Sequence, residues 1–262
     1  FKKTKDVSHL FHSATPGGSW IDTSTLKFFE LFKNSPIENA ESIFENSGVY
    51  KIGSDFESVA NKAKNFKNAF KDLNLNIDYS TTNWLFNNAE DTSSMFENAY
   101  MPEVKLPNAT FAKVKNANSM FKNIKSLTTF DLNQATFAAA EDVTSMFEDV
   151  HFSDTLKMNN ATFLAAKNAS NMFKSVEIST VSLPSATFNS VVNANAMFIR
   201  LLLVKQPLQM LKTFHQCLNL LKINLLPLIF KVLPLHMQKT LIVCFTGGDS
   251  HRSICPMRYL MN

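Results

Sequence analysis

The side chains that carry most biochemical reactions are few in this chain and poorly spaced for the task. Six histidines stand at positions 9, 12, 151, 215, 236 and 251. His9 and His12 are three apart, a separation that sets two imidazoles on one helical face and offers a metal two ligands. No H-E-x-x-H accompanies them, and no C-x-x-C links Cys217, Cys244 and Cys255. A surface pair is therefore the expected role of His9 and His12. The stretch TGGDSH at 246–251 makes a Gly-rich turn but lacks the lysine with which a P-loop reaches phosphate. No nucleophile is patterned with a base and an orienting third group. The expectation is a chain that is not an enzyme, with no catalytic, metal or cofactor-binding residues and no small-molecule substrate.

The 262 residues divide sharply in composition at about position 198. Residues 1–198 hold 18 Lys, no Arg and 21 acids, a net charge of −3, whereas residues 199–262 hold eight basic residues against Asp249 alone, a net of +7. The second part also has all three cysteines and 15 leucines, but only three of the 27 asparagines. The basic pI thus belongs to the tail, so nucleic acid is not an expected partner of the body. The chain opens on Phe1 and shows no cleavable leader, which reads as a fragment or processed form.

The body is periodic. NATFAKVKNANSMF, QATFAAAEDVTSMF, NATFLAAKNASNMF and SATFNSVVNANAMF are successive copies of one theme. The closing aromatic falls at Phe44, Phe70, Phe96, Phe121, Phe147, Phe173 and Phe198, at intervals of 25 or 26 residues. So steady an interval marks stacked supersecondary units, none of which buries its apolar face alone. Ten residues earlier stand Phe86, Phe111, Phe137, Phe163 and Phe188. Five residues earlier every unit has Asn39, Asn65, Asp91, Asn116, Asp142, Asn168 or Asn193, side chains suited to capping the start of a short helix. Upstream lie short alternating pieces, among them EVKLPN, TTFDLNQ, TLKMNN and TVSLPS, which predict one strand per unit. A bundle of helix pairs fits less well, since its helices would be short and interrupted by Pro107 and Pro184.

The expected fold is an α/β repeat solenoid, leucine-rich-repeat-like, with one short parallel strand plus one short helix per 25–26-residue unit. Residues 1–32 form an N-terminal edge or degenerate repeat, 33–198 the solenoid and 199–262 a Leu-rich basic tail. The outward strand positions Lys105, Asp131, Lys157 and Ser182 make the candidate binding face. Asp and Glu between the ladder positions read as solvated surface, and the sequons at Asn108, Asn160 and Asn168 as chance in an Asn-rich chain.

The ATF…N-A-x-x-M-F ladder, together with SWIDTSTLKFFELF near the start, resembles the BspA-like leucine-rich-repeat surface proteins, a repeat also seen in mycoplasma surface proteins. The family form resembles W-D-T-S-x-V-x-x-M-x-x-M-F. Trp20, Asp22, Thr23 and Ser24 match it with Ile21 inserted, while later units carry Ala-Thr-Phe instead. The resemblance spans residues 19–198 and implies a cell-surface or secreted protein. It implies binding or adhesion to a protein or glycan, with the membrane reached only through an anchor outside this fragment. A structural spacer is the alternative.

The tail departs from the theme in a particular way. Read one base out of frame, the codons for Lys205–Leu208 permit Ala-Thr-Phe, and those from Gln209 permit NAKNVSSMFK. Val232–Leu235 permit Ala-Thr-Phe again, followed by a second Met-Phe. A frameshift near residues 199–204 that replaced further repeats accounts for both strings, and a non-functional product of a broken gene is then a further possibility. The Leu-rich runs in that case were never selected as a membrane span. The nucleotide sequence decides the matter: an alternate frame spelling two more ATF…MF units is expected, and stop codons or unrelated sequence there would refute it.

Overall fold

A computed structural model describes residues 1–14, 20–25, 27–74, 83–101, 103–124, 129–151, 155–178, 180–182, 185–197, 201–203 and 241–243. Phe198, TGGDSH, the three cysteines and nearly all of the tail, with its frameshift expectation, lie outside these residues.

The alternating pieces form strands of two or three residues. They are β1 (Ile21–Asp22), β2 (Val49–Lys51), β3 (Glu103–Lys105), β4 (Thr129–Asp131), β5 (Thr155–Lys157), β6 (Glu177–Ile178), β7 (Thr180–Ser182), β8 (Leu201–Leu203) and β9 (Leu241–Val243). β1 pairs with β2, and β3-β4-β5-β7 make a four-stranded sheet, all parallel. β8 lies parallel to β6 and antiparallel to β9. Period-2 alternation explains their facing: Val104, Leu106, Phe130, Leu132, Leu156 and Met158 are buried, with Lys105, Asp131 and Lys157 between them partly exposed.

The segment after each Asn or Asp is not the short helix that a capping reading expects. In the units from residue 38 onward it is a run of turns. Among the described residues, helix occurs only at 3-10 stretches Phe28–Phe32 and Ser54–Phe56 and at α1 (Glu57–Ala60). The backbone shows why. Ser42, Asn68, Ser94, Ser119, Ser145, Asn171 and Ala196 have φ of 52–57°, and Asn46, Asp72, Asn98, Asn123, Asp149 and Ser175 have φ of 51–58°. Two left-handed residues four apart prevent a right-handed helical turn from propagating. The alternate amides then point to the next unit. Phe96 N–H donates to Met120 O (2.8 Å), Phe121 to Met146 O (2.9 Å) and Phe147 to Met172 O (2.9 Å), with Ser94, Ser119 and Ser145 doing the same two residues earlier.

The Asn and Asp side chains serve this arrangement. From Asp6 through Asn193, each δ-oxygen accepts the N–H two residues on, at 2.8–3.2 Å. This is an Asx turn rather than a helix cap. The same residues bridge in parallel from unit to unit: Asp6, Asn39, Asn65, Asp91, Asn116, Asp142, Asn168 and Asn193. The pairing therefore begins well ahead of residue 33. The segment DVSHLFHS at 6–13 pairs with 39–46, because Asp6 stands five residues before Phe11 just as Asn39 stands before Phe44.

Two columns of rings run through the interior. Phe11, Phe44, Phe70, Phe96, Phe121, Phe147 and Phe173 stack in order at 5.0–5.6 Å between centroids. Phe86, Phe111, Phe137, Phe163 and Phe188 form the second column at 5.2–5.7 Å. Phe86, Phe111, Phe137 and Phe163 hold left-handed backbone, with φ of 47–50°. That conformation costs an L residue about 1–2 kcal/mol, and burying a phenylalanine contributes about 1.5–3 kcal/mol. The ring columns thus carry the strained corners.

Candidate functional site

The four strand residues singled out above are brought into one row. Lys105 is in register with Asp131, Asp131 with Lys157, and Lys157 with Ser182. Lys105, Asp131 and Lys157 are each partly exposed. Asp131 also turns its Oδ1 back to accept the N–H of Asn133 at 3.1 Å. At the start of the chain Asp22 and Lys51 hold the same relation on β1 and β2, with Nζ to Oδ2 at 4.0 Å. Charge alternates along the row, so it is polar without being strongly of one sign.

The alternation recurs on two further tracks, whose charges look like scattered solvated surface in the sequence alone. One residue before each Asn or Asp stand Lys5, Glu38, Lys64, Glu90, Lys115, Glu141, Lys167 and then Val192. One residue after each closing Phe stand His12, Glu45, Lys71, Glu97, Lys122, Glu148 and Lys174. The pairs close across units. Lys5–Glu38 is 2.8 Å, Lys115–Glu90 2.9 Å and Lys167–Glu141 2.6 Å. On the other track Lys71–Glu97 is 3.7 Å, Lys122–Glu148 3.1 Å and Lys174–Glu148 2.7 Å. From Glu38 and Glu45 onward the signal was present in the sequence as a sign change every 25 or 26 residues, a period of two units laid over the period of one.

The electrostatics follow from this geometry. Hydrogen bonds and attraction from Lys5, Lys115 and Lys167 hold Glu38, Glu90 and Glu141 below the ordinary glutamate range. Burial pushes Glu148 up, but its bonds from Lys174, Ser145 and Lys122 outweigh this and leave it lowered. Burial raises Asp55, which accepts the Phe29 N–H at 2.6 Å, and lowers Lys62. The Lys62 ammonium donates to the carbonyls of Lys33 and Ser35 at 2.5 and 3.0 Å. Each of these shifts has a structural cause within the stack.

His9 and His12 meet edge to face at 5.3 Å within a run of turns, and His12 Nδ1 lies 3.7 Å from Glu45 Oε2. His12 thereby opens the second charge track. Among the described residues, no three His, Cys, Asp or Glu side chains converge to hold a metal ion. Among them too, no helix is long and apolar enough to cross a membrane. No family model matches the chain, and neither a curated protein nor a solved structure matches it.

Proposed function

We propose that this chain is a non-enzymatic, surface-displayed repeat protein that binds a protein or glycan through its strand face. In this reading it is an α/β solenoid of the leucine-rich-repeat kind, akin to the BspA-like surface proteins, located at the cell surface or secreted. The observation that carries the proposal is the row Lys105, Asp131, Lys157 and Ser182, set in register on four adjacent parallel strands. Short strands on one rigid edge hold polar side chains about 4.8 Å apart. That spacing suits contact with an extended, polar partner spanning several units. The charge tracks lie apart from this row: Glu38, Glu90, Glu141 and Glu148 are each engaged by a lysine one unit away, which ties them to joining the units.

The test is simultaneous substitution of Lys105, Asp131 and Lys157 by Ala, with adhesion to cells or extracellular matrix as the readout. Adhesion is expected to fall by about tenfold or more, since polar contacts at an interface contribute on the order of 1 kcal/mol each. The melting transition is expected to stay within a few degrees of the parent. Unchanged adhesion on an intact fold would favour the structural spacer, which has the same architecture but makes no contact along this face.

A further inference from the structure

The pairing of β1 with β2 departs from a regular ladder at one point, and the departure turns two aromatic rings outward. Ile21 is in register with Val49 and Asp22 with Lys51, so Tyr50 is an extra residue with no register partner on β1. The hydrogen bonds agree. Ile21 N–H donates to Gly48 O at 2.8 Å, and Thr23 N–H passes over Tyr50 O to reach Lys51 O at 3.0 Å. A bulge of this kind interrupts the alternation and re-aims side chains. Val49 and Ile52 are buried, whereas Tyr50 is partly exposed and Lys51, directly after it, is exposed. On β1 and beside it, Ile21 packs against the core and Thr23 is buried, which leaves Trp20 and Asp22 at the outward positions.

Trp20 is 61% exposed, and its ring meets that of Tyr50 edge to face, with 6.4 Å between centroids and 75° between planes. The other tryptophan, Trp84, is 1% exposed. An indole left in water forgoes the burial that large aromatics otherwise contribute. Two residues along from Trp20, and one along from Tyr50, Asp22 Oδ2 and Lys51 Nζ lie 4.0 Å apart. Asp22 Oδ1 accepts both the N–H and the hydroxyl of Ser24, at 2.8 and 2.5 Å, which fixes the carboxylate with its other oxygen toward the ammonium. A flat apolar surface thus borders an acceptor and a donor held side by side.

A pyranose with equatorial hydroxyls matches both halves. Its axial C–H groups make an apolar face that lies on an indole, and its hydroxyls each donate and accept, as a carboxylate beside an ammonium requires. Proline-rich peptide also stacks on aromatic rings, but it has no N–H at proline and leaves the Asp22 carboxylate unmatched. A stacked nucleobase brings phosphates, which Asp22 and the net charge of −3 over residues 1–198 oppose. We infer that Trp20 and Tyr50 bind a chain of β-linked glucose or N-acetylglucosamine, with Trp20 under one sugar ring, Tyr50 at its edge, and Asp22 and Lys51 on its hydroxyls. β1 and β2 form a sheet separate from the one that bears Lys105, Asp131 and Lys157, so either contact can fail without the other.

Tryptophan fluorescence of the full chain, titrated with cello-oligosaccharide and with chito-oligosaccharide, tests the site. Because Trp84 is buried, the response comes from Trp20. The expected result is a saturable blue shift, together with protection of the exposed indole from acrylamide quenching. Tyr50→Ala keeps the reporter and is expected to weaken binding by about threefold or more. Trp20→Ala is expected to remove the fluorescence response and to weaken binding by about tenfold or more in calorimetry. Circular dichroism and melting of both variants should match the parent, since neither ring belongs to the core columns. A parent that responds to neither oligosaccharide overturns the proposal. So does binding that both variants retain in full, which would place the sugar elsewhere, as on the Lys105 row. A response to polyproline or to single-stranded DNA without one to sugar overturns it in favour of that ligand.

Discussion

Phe121→Ala is expected to destabilise the protein by about 3–5 kcal/mol, the range for emptying a well-packed phenylalanine site. Phe121 is fully buried and lies between Phe96 and Phe147, 5.5 Å from each with interplanar angles of 4° and 8°. Phe130 meets it edge to face at 5.1 Å. Truncation therefore removes contacts on three sides at once. Its neighbours are unable to collapse into the space, because each is itself fixed in the column and its backbone is bonded to adjoining units. Domain stabilities of about 5–15 kcal/mol leave little reserve against a loss of this size. In a stack whose units touch only their neighbours, the damage should also divide the transition. Urea unfolding followed by tryptophan fluorescence and circular dichroism is expected to lose coincidence between the two probes, since Trp84 reports only the units before the break. Phe11→Ala is the control. Phe11 is partly buried and stacks in its column on Phe44 alone, with Phe28 and Phe29 meeting it from the side at 5.3 and 6.3 Å. Its loss should cost less, because part of its surface is already in water. Equal losses at both sites would show that the columns are not cooperative.

Glu148→Lys is expected to be the most damaging single charge change, at about 3–5 kcal/mol, the range for leaving a buried charge without its partner. Glu148 is 5% exposed and is held from both sides by Lys122 and Lys174. A lysine there aligns three cations across consecutive units. Adding Lys174→Glu restores one opposite pair while the clash with Lys122 persists, so the double variant should recover roughly half of the loss. A double variant no better than the single would refute the pairing. Acid provides the complementary check. Glu148, Glu38, Glu90 and Glu141 all have folded pKa values below their unfolded ones. Their stabilisation is therefore fully present above the unfolded value of about 4.3 and is lost as pH falls through the folded values. The urea midpoint should hold from neutral pH down to about 5 and then drop. Glu148→Gln should be less stable than the parent at neutral pH and converge with it in acid. Convergence in the alkaline range instead would mean that a raised, not a lowered, pKa governs the site.

Both predictions draw on residues that the sequence marks, but for reasons it discloses unequally. The ring positions are legible because stacked units repeat their buried side chains at a fixed interval, and an aromatic that recurs every 25 or 26 residues has few other causes. The strand row is legible because alternation fixes which side chains face outward. The first unit, DVSHLFHS, escaped because the interval from Phe11 to Phe44 is longer than the rest. The Asx signature alone would have found it.

By itself, the amino-acid sequence determined the period, the residues that fill each column, and the sign of charge along each track. What only the tertiary structure decided is where the backbone amides go. An Asn or Asp ahead of Ala-x-x-Met-Phe opens a helix and an Asx turn equally well, since both use the same oxygen to accept a nearby N–H. The choice depends on whether the following amides bond within their own segment or to carbonyls one unit away. That in turn depends on a neighbouring unit being present to supply those carbonyls. Phe96 N–H reaches Met120 O, not a carbonyl of its own turn, because the ring columns have already brought the two units into register. The charge tracks have the same origin. Glu148 is a solvated acid in the sequence and a clamped one in the structure, because only stacking sets Lys122 and Lys174 on either side of it.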